Sequence, residues 1–432
     1  MAGEARREFD VVVWGATGFT GSLVAKYLAT YHPPGGGSGS VGAALAGADD
    51  ASRPLSWAVA GRSPGKLETL VSELAAINPA CAKVPVVIGD ATDRASLDAM
   101  AARTSCVAST AGPFFRFGTE LVRACVAAGT QYCDITGESP WVRAIIDELH
   151  EEAEANNALI VSCCGFDSVP ADLGVHMLVR HVQDHHGISP GTVTAGVGVA
   201  GGASGGTIAS IINLMDNADL RLFADAFLLN PRENKPRLAD RGIGAAFEAD
   251  RKGVAWDQLL ETWTGPFLMA GVNTRVVRRS AALAEQAGKP YAPVFRYNEA
   301  MRFRSWWTAM MATSVLSIFG IMLYFRATRW LLMKIMPSPG QGPSEAKRDA
   351  SHFSYNLATE LPDGTRVRAR VAGGDPGYTE TSKMIAEAAI VLSRYKSSLP
   401  VSGGVVPPAY AMGDVLRTRL VDAGMTFKIV DP

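Results

Sequence analysis

The sequence predicts an α/β protein with two domains: an N-terminal doubly wound parallel sheet and a second, α+β domain. Three observations lead to this prediction. Apolar, β-branched segments alternate with helical patterns from Phe9 to residue 167. The first of these segments runs directly into a glycine-rich turn. Beyond residue 180 the alternation becomes irregular, which favours a mostly antiparallel sheet covered by helices. We therefore predict domains at 1–180 and 181–432.

Six apolar segments in the first half have the character of strands. They are residues 9–14, 57–62, 84–90, 104–114, 130–138 and 158–167, and the helical stretches between them are 64–77, 94–102, 117–128 and 139–156. Strands that alternate with helices form parallel sheets with right-handed crossovers. Ligands bind such sheets at the carboxyl ends of the strands. The strand ends are therefore the predicted rim of the active site.

The composition excludes several classes of protein. Of 432 residues, 47% are hydrophobic and 19% are charged, which allows a large buried core and argues against general disorder. A net charge of −1 gives no electrostatic footprint for nucleic acid. The six cysteines form no C-x-x-C pair, so we expect buried, reduced thiols, no disulfide framework and no metal site. The charged N-terminus has no signal-peptide pattern, and we expect an intracellular protein that is not secreted.

The glycine-rich turn, GATGFTG at 15–21, lies between the first strand and a helical segment. Its predicted roles are a sharp turn at Gly15, close approach of a pyrophosphate at Gly18, and close packing of the helix at Gly21. Free N–H groups at the start of the helix would complete the phosphate site. The predicted cofactor-binding residues here are Gly15, Thr17, Gly18, Phe19, Thr20 and Gly21. A tight turn without a ligand is the alternative.

The end of the second strand predicts which nucleotide is bound. Sites for NAD usually carry Asp or Glu at this position, for the ribose 2′-OH. Here Arg62 stands in that place and Lys66 follows it. A guanidinium pairs well with a 2′-phosphate, so we expect NADP(H) to be favoured over NAD(H). The alternative is a solvated arginine at the start of a helix. Asp90, at the end of the third strand, is predicted on the adenine side.

The remaining strand ends supply the candidates for chemistry. Gly112 and Pro113 follow the fourth strand, where the backbone commonly runs along the cofactor. Glu138 follows the fifth strand and Asp172 comes after the sixth, and both are candidates for proton transfer or for orienting a substrate. No acid or base is assigned from the sequence alone. Asp167 or Ser168 is expected to cap the helix that follows.

These motifs together carry a family resemblance. The chain resembles the saccharopine dehydrogenase-like oxidoreductases, which include the mycobacterial trans-acting enoyl reductases. The resemblance rests on GATGFTG (15–21), WAVAGR (57–62), GPFFRFG (112–118), YCDITGE (132–138) and GFDSVPADLG (165–174), and it continues to GGVVPPAY (403–410). It implies a Rossmann domain followed by an α+β domain. It also implies nucleotide-dependent reductase chemistry, in some members on long lipid or polyketide chains. Eukaryotic members are associated with lipid droplets, mitochondria or other membranes.

The second half contains one segment that an ordinary soluble dehydrogenase does not need. Residues 305–325 carry no charge, aromatic residues lie near both ends, and the apolar character continues to 336. Three alternatives are open for 305–336: a transmembrane span, an interfacial or hairpin insertion, or a helix buried in the core or in a homodimer interface. We favour insertion, because basic residues flank the segment and no acidic residue does. The glycine-rich stretch at 201–206 is either a ligand contact or a plain turn.

The expected function combines these features. We expect an NADP(H)-dependent oxidoreductase that acts on a lipid-like carbonyl or enoyl substrate. Through 305–336 it would work at a membrane or lipid-droplet surface, and the lipid droplet, the mitochondrion and the plasma membrane are the candidate locations. The absence of a recognisable Tyr-x-x-x-Lys acid/base unit argues against a short-chain dehydrogenase. It also leaves a second alternative, a nucleotide-binding scaffold at a membrane without turnover.

Overall fold

A computed structural model describes residues 6–36, 53–200, 222, 224–234, 239–242, 250–325, 327–330 and 342–430. The chain forms two compact units. Unit 1 comprises 1–136, 144–166 and 378–424, and unit 2 comprises 137–143, 167–377 and 425–432. The predictions for the glycine-rich stretch at 201–206 and for 331–336 lie outside the described residues, as does most of the region between the first helix and the second strand.

The strands, in chain order, are β1 Phe9–Trp14, β2 Trp57–Gly61, β3 Val86–Ile88, β4 Thr104–Ser109, β5 Gln131–Asp134, β6 Leu159–Val161, β7 Thr192–Ala200, β8 Ala255–Asp257, β9 Thr262–Gly265, β10 Arg296–Phe303, β11 His352–Glu360, β12 Arg366–Gly373, β13 Gly404–Val405 and β14 Thr426–Val430. The helices are α1 Phe19–Tyr31, α2 Pro64–Ile77, α3 Arg94–Ala102, α4 Phe114–Phe117, α5 Thr119–Ala128, α6 Ser139–Ala155, α7 Val169–His186, α8 Ala270–Gln286, α9 Trp306–Tyr324, α10 Glu345–Asp349, α11 Thr379–Arg394 and α12 Pro408–Asp422.

Unit 1 contains the predicted doubly wound sheet. Its strand order is β13-β6-β5-β4-β1-β2-β3, and every pair of neighbours is parallel. The first six strands thus have the order of a dinucleotide-binding Rossmann sheet, which confirms the predicted architecture. Most of the buried strand residues are apolar, because helices can cover both faces of a parallel sheet. All six cysteines are free and buried, as expected for reduced thiols.

The structure divides the chain differently from the predicted boundary at residue 180. Helix α11 belongs to unit 1, where it contacts β1, β4, β5 and α1. Most of its side chains are buried, because this one helix packs on the sheet and also on α12. The short strand β13 likewise extends the parallel sheet by pairing with β6. The C-terminal segment therefore completes the nucleotide-binding unit, whereas 137–143 and 167–180 belong to unit 2.

Unit 2 has the mostly antiparallel sheet that the sequence predicts. The strand order is β14-β12-β11-β7-β10-β9-β8, and only β7 and β10 run parallel to each other. Side chains alternate between the two faces of each strand. One face is packed against helices α7 and α8, which contact β10, β11 and β12. This face carries the buried Tyr297, Glu299 and Tyr355, which become important below.

Candidate functional site

The glycine-rich turn has the geometry of a phosphate cradle. β1 ends at Trp14 and α1 begins at Phe19, with Gly18 at the N-cap position. Gly15 has a φ of +78°, and a Cβ atom there would lie 2.9 Å from the Cβ of Ala111. A Cβ on Gly21 would overlap the carbonyl oxygen of Gly15 and would lie 2.7 Å from Thr110 Oγ1. Only glycine fits these two positions, which is the geometry expected of a dinucleotide-binding turn, and the contact of these residues with a cofactor stays a prediction.

The other residues of the turn surround the start of α1. Thr17 and Gly18 are exposed, and Phe19 and Thr20 are half-buried. The ring of Phe19 packs edge-on against Tyr378 with 5.0 Å between the ring centroids, which fixes the first turn of the helix. The first N–H groups of a helix have no partner within that helix, and they carry a partial positive charge. The exposed end of α1 is therefore open to an anion.

The residues predicted for the adenine side also lie in unit 1. Arg62 and Lys66 are exposed, at the end of β2 and in the first turn of α2. Asp90 follows β3 and accepts hydrogen bonds from the backbone N–H and the hydroxyl of Thr92, at 2.8 and 2.7 Å. These bonds lower the pKa of Asp90, and the positive charge of Arg62 lowers it further. The structure thus brings Arg62 and Asp90 close together at the ends of neighbouring strands.

The segment after β4 lies beside the glycine-rich turn. Thr110 donates a hydrogen bond to the carbonyl of Trp14 at 3.0 Å, and Ala111 contacts Gly15. Gly112 and Pro113 come next in the chain, joined by a cis peptide bond, before α4 begins. The structure therefore places these two predicted residues at the same edge of the sheet as the turn at 15–21. Their contact with the cofactor stays a prediction.

Asp134 is a buried carboxyl at this edge that the sequence did not single out. It ends β5 and accepts hydrogen bonds from Ser162 Oγ at 3.1 Å, from Thr136 N at 3.0 Å and from Cys163 N at 3.2 Å. Burial raises its pKa to about 7, although these hydrogen bonds oppose the shift. Because its bonds tie together the loops after β5 and β6, Asp134 shapes the rim of the sheet.

The two candidates for proton transfer lie in unit 2 and are buried. Glu138 precedes α6 and is 2% exposed, and Asp172 lies in the first turn of α7 with no exposed surface. Burial raises the pKa of Tyr291 and Tyr297, and the charge of Asp172 adds to both shifts. The catalytic role of Glu138 and Asp172 stays a prediction.

The predicted cap of α7 is wrong for Ser168. This residue occupies the N-cap position, but its side chain makes no capping hydrogen bond. Its φ of +108° is rare for a residue with a side chain. The hydroxyl turns away from the helix and donates to Asn273 Oδ1 at 3.0 Å. The side chain of Ser168 is therefore hydrogen-bonded to α8 rather than to the start of its own helix.

Asn273 is the centre of a buried polar cluster. We call the five side chains the Asn273 cluster: Ser168, Asn273, Tyr297, Glu299 and Tyr355. The amide nitrogen of Asn273 donates to Glu299 Oε1 at 2.8 Å and to the Tyr355 hydroxyl at 3.0 Å. Tyr297 donates to Glu299 Oε2 at 2.7 Å. Burial raises the pKa of Glu299 to about 7 despite these two donors.

Sequence reasoning missed this cluster for a physical reason. Its members come from the N-cap position of α7 and from α8, β10 and β11, which are far apart in the chain, so no short sequence motif joins any two of these elements. The signal that could have found it is the presence of polar residues on faces that are otherwise apolar. Asn273 lies inside α8, and Glu299 lies at an inward position of β10. Buried polar groups need partners, so each one predicts another.

Comparisons with known proteins agree with this geometry. Residues 36–161 match the family model described as the saccharopine dehydrogenase NADP-binding domain. The match begins after the glycine-rich turn and includes β2 to β6. The chain is also similar over nearly its whole length to two mycobacterial proteins that are named as trans-acting enoyl reductases. The Mycobacterium tuberculosis (strain H37Rv) protein is 37% identical, over 98% of this chain and 97% of its own. The Mycobacterium leprae protein is 33% identical, over 97% of each chain.

A solved structure shows the same fold. The apo saccharopine dehydrogenase (L-Glu forming) of Saccharomyces cerevisiae matches with a TM-score of 0.51 and 14% identity, over 98% of this chain and 99% of that one. At this identity the likeness concerns the fold alone. The full-length relatives show the family and favour an enzyme over a scaffold without turnover. The chain therefore belongs to the saccharopine dehydrogenase-like family that includes the trans-acting enoyl reductases, and it is an oxidoreductase with an NADP-binding domain.

Proposed function

We propose that this protein uses NADPH to reduce the polarised double bond of a lipid-like substrate, with an α,β-unsaturated acyl (enoyl) group as the first choice and a carbonyl group as the second. The observation that carries the proposal is the similarity to proteins named as enoyl reductases, which extends over 98% of the chain and so includes unit 2. The phosphate cradle of unit 1 supports the same conclusion, because it fits the cofactor such a reaction needs.

The chain's own residues have separate roles in binding the cofactor and in the reaction. When bound, NADPH supplies the hydride. Gly15, Gly18 and Gly21 let the backbone approach the pyrophosphate, and Arg62 pairs with the 2′-phosphate. Reduction of a double bond also needs a proton, and Glu138 and Asp172 remain the predicted candidates for its donor.

The apolar helix α9 supports a location at a membrane surface. Among the described residues it is the helix long and apolar enough to cross a membrane, and only 11% of its apolar window is buried. Trp307, Met311 and Val315 are 71%, 69% and 67% exposed. The alternative of a helix buried in the core of this chain is therefore wrong for 306–324. About 28 Å of helix is left with a largely uncovered apolar surface.

The sheet of unit 2 argues against a single transmembrane crossing. β10 precedes α9 and β11 follows it, yet both pair with β7. A single crossing would place β10 and β11 on opposite sides of the bilayer. We therefore propose that α9 lies in the interface or forms part of a hairpin, so that both strands stay on one side. The lipid droplet, the mitochondrion and the plasma membrane remain the proposed locations.

NADPH consumption tests the proposed reaction. The purified protein is mixed with NADPH and a long-chain α,β-unsaturated acyl thioester, then with a short-chain thioester, and in parallel with a long-chain aldehyde. We expect oxidation of NADPH and a saturated product with the long-chain thioester. The Gly21→Ala variant is the inactive control, because its added methyl group closes the cradle. Failure to oxidise NADPH with all three substrates would overturn the proposal.

Vesicle flotation tests the proposed location. Replacing Met311, Val315 and Ile318 by Asn should release the protein from vesicles that contain anionic lipid. The matched control replaces exposed apolar residues elsewhere, at Ile77, Ile88 and Val421, and should leave binding unchanged. A triple variant of α9 that still floats with the vesicles would contradict the membrane role. If the wild type instead forms a dimer that the α9 variant dissociates, a homodimer interface covers the helix.

A further inference from the structure

The sheet of unit 2 has a second face, opposite the one that packs against α7 and α8. At the centre of this face Gly196 and Gly198 alternate on β7, and their partners Asn356 and Ser354 lie beside them on β11. Arg302 on β10 donates a hydrogen bond to Ser354 Oγ at 3.0 Å, so its side chain crosses β7. A Cβ atom on Gly198 would lie 3.2 Å from Arg302 Nε. The glycine therefore makes room for this guanidinium.

Two further basic residues lie on the same face. Arg370 on β12 is the cross-strand partner of Asn356, and Lys428 on β14 is the partner of Arg370. Cross-strand partners share one face of a sheet. Arg302, Arg370 and Lys428 are all exposed. Partial burial lowers the pKa of Arg302, and the positive charge of Arg370 lowers it further, which shows that the two guanidinium groups are close.

Other arginines on this face are neutralised by carboxylates. Arg366 and Arg368 alternate with Arg370 along β12, so their side chains are on the same side of the sheet. Both arginines are paired with Glu261, each at 2.9 Å. Arg366 is also paired with Glu360 at 2.9 Å. The acidic residues of this face are therefore used at one end of β12.

The basic residues at the other end have no such partners. Within the described residues, Arg302, Arg370 and Lys428 form no ion pair. Arg370 and Lys428 stand directly opposite each other, and like charges in this position destabilise a sheet. A bound anion would relieve their repulsion. Guanidinium and ammonium groups both bind phosphate oxygens, so the face fits a phosphate group.

The position of this face in the chain favours a phosphate that belongs to a lipid. Arg302 precedes Trp306, the first residue of α9, by four positions, which an extended chain spans in about 14 Å at most. Trp306 and Trp307 are 39% and 71% exposed. Tryptophan is enriched at the level of the lipid headgroups, and anionic lipids attract basic residues beside an apolar segment.

We propose that Arg302, Arg370 and Lys428 bind the phosphate headgroup of an anionic phospholipid in the membrane that α9 contacts. This inference rests on the proposed membrane location. Arg302 and Arg370 donate hydrogen bonds to the phosphate oxygens, and Lys428 adds a third positive charge. The site gives the protein a preference for anionic over neutral membranes, which an apolar helix alone does not provide.

Flotation with vesicles of two compositions tests the site. Vesicles of phosphatidylcholine alone are compared with vesicles that also contain phosphatidylglycerol. Arg302→Gln/Arg370→Gln should weaken binding to the anionic vesicles by about 25-fold, or about fivefold for each charge, and leave binding to the neutral vesicles unchanged. The matched control, Arg180→Gln/Lys289→Gln, removes the same charge elsewhere in unit 2 and should have little effect on either.

Two further variants distinguish loss of the site from loss of the fold. Within the described residues the side chain of Lys428 makes no hydrogen bond, so Lys428→Gln breaks none. It should still weaken binding to the anionic vesicles by about fivefold. Arg302→Lys/Arg370→Lys keeps both charges and should retain most of the affinity. Urea denaturation curves check that each variant is folded.

Soluble phosphate is the second arm of the experiment. Inorganic phosphate at millimolar concentration is added to the anionic vesicles while the ionic strength is held constant. We expect vesicle binding to stay unchanged, because the lipid is also held by its contact with α9. Displacement of the protein by inorganic phosphate would show that the site takes a soluble phosphate and would overturn the lipid assignment.

The outcomes separate the site from the proposed location. If the wild type binds neither kind of vesicle, the membrane location fails and the site fails with it. If the wild type prefers anionic vesicles and Arg302→Gln/Arg370→Gln keeps that preference, the site is overturned while the location stands. Equal binding of the wild type to neutral and anionic vesicles likewise overturns the site and leaves the insertion of α9 in place.

Discussion

Ser168 donates a hydrogen bond to Asn273 across 3.0 Å, although the two residues are 105 positions apart in the chain. The bond joins the start of α7 to the inside of α8 within unit 2. It also holds Ser168 at a φ of +108°. This contact links a strained turn to a buried polar cluster, and its energetic value can be measured directly.

Ser168 offers two variants that separate strain from hydrogen bonding. Ser168→Ala loses the bond to buried Asn273 and keeps the strain, so the free energy of unfolding should fall by about 2 kcal/mol. Ser168→Gly loses the same bond but relieves a strain of about 1–3 kcal/mol, against an entropic cost of about 0.5–1 kcal/mol. In urea denaturation the glycine variant should be more stable than the alanine variant by about 1 kcal/mol. Equal stabilities would mean that the turn is not strained.

Gly21 should tolerate no side chain. In Gly21→Ala the new methyl group would overlap the Gly15 carbonyl, so α1 must move away from the turn. We expect NADPH affinity to fall by at least about tenfold and the unfolding free energy to fall by about 2 kcal/mol. Gly320→Ala in α9 is the matched control, because a Cβ there meets open space. That change should instead stabilise the helix by up to about 1 kcal/mol. Wild-type NADPH affinity in Gly21→Ala would contradict the cradle.

Arg62 should determine the preference of the protein for NADPH over NADH. Arg62→Ala removes the charge that pairs with the 2′-phosphate, so NADPH binding should weaken by about 1–3 kcal/mol while NADH binding stays the same. Titrations of protein fluorescence with each nucleotide provide the measurement. Arg417→Ala removes another arginine of unit 1 and should affect neither nucleotide. Equal weakening of NADPH and NADH by Arg62→Ala would rule out recognition of the 2′-phosphate.

Glu299 should make the protein less stable as the pH rises. Its folded pKa of about 7 lies above the value of about 4.3 for an unfolded glutamate. The stabilising contribution of Glu299 to the free energy of unfolding is therefore complete below the unfolded pKa and is lost as the pH rises through about 7. Between about pH 5 and pH 8 the unfolding free energy of the wild type should fall by roughly 2 kcal/mol relative to Glu299→Gln. Denaturation curves across this range measure the difference, and the exposed Glu151→Gln should show none.

Arg419 should be essential to the stability of unit 1, because it is the main partner of the buried Glu387 carboxylate. Its guanidinium donates to Glu387 Oε2 at 2.6 Å, and Tyr27 on α1 donates to Oε1 at 2.8 Å. Burial disfavours the ionised form of Glu387 and would raise its pKa. The interactions with Arg419 and His32 are stronger than this effect, so the pKa of Glu387 is lowered. Arg419→Met would leave that charge without its main partner and should cost about 3–5 kcal/mol. The double variant with Glu387→Gln should recover about half of the loss. A double variant no more stable than Arg419→Met would show that the ion pair is not the cause.

Turns, helices and strands that are marked by neighbouring residues could be predicted from the sequence. The turn at 15–21 follows a buried strand and precedes a helix, and these neighbours are in the sequence itself. Helices α2 and α3 have the predicted bounds, because a cap or a proline marks their starts. β3 is shorter than its apolar segment, at Val86–Ile88, because only these residues pair with β2. α12 begins at Pro408, since the two prolines at 407 and 408 suit the start of a helix.

The sequence by itself determined the fold class, the position of the nucleotide turn, the basic residue at the end of β2 and the apolar segment that becomes α9. These depend on periodicity and on near neighbours in the chain. The tertiary structure alone decided that α11 and α12 complete unit 1, that Ser168 bonds to Asn273 instead of capping α7, and that Glu299 and Tyr355 share one buried cluster. Each of these depends on contacts between residues far apart in sequence. Burial then sets the pKa of the groups involved, and no local pattern encodes burial of that kind.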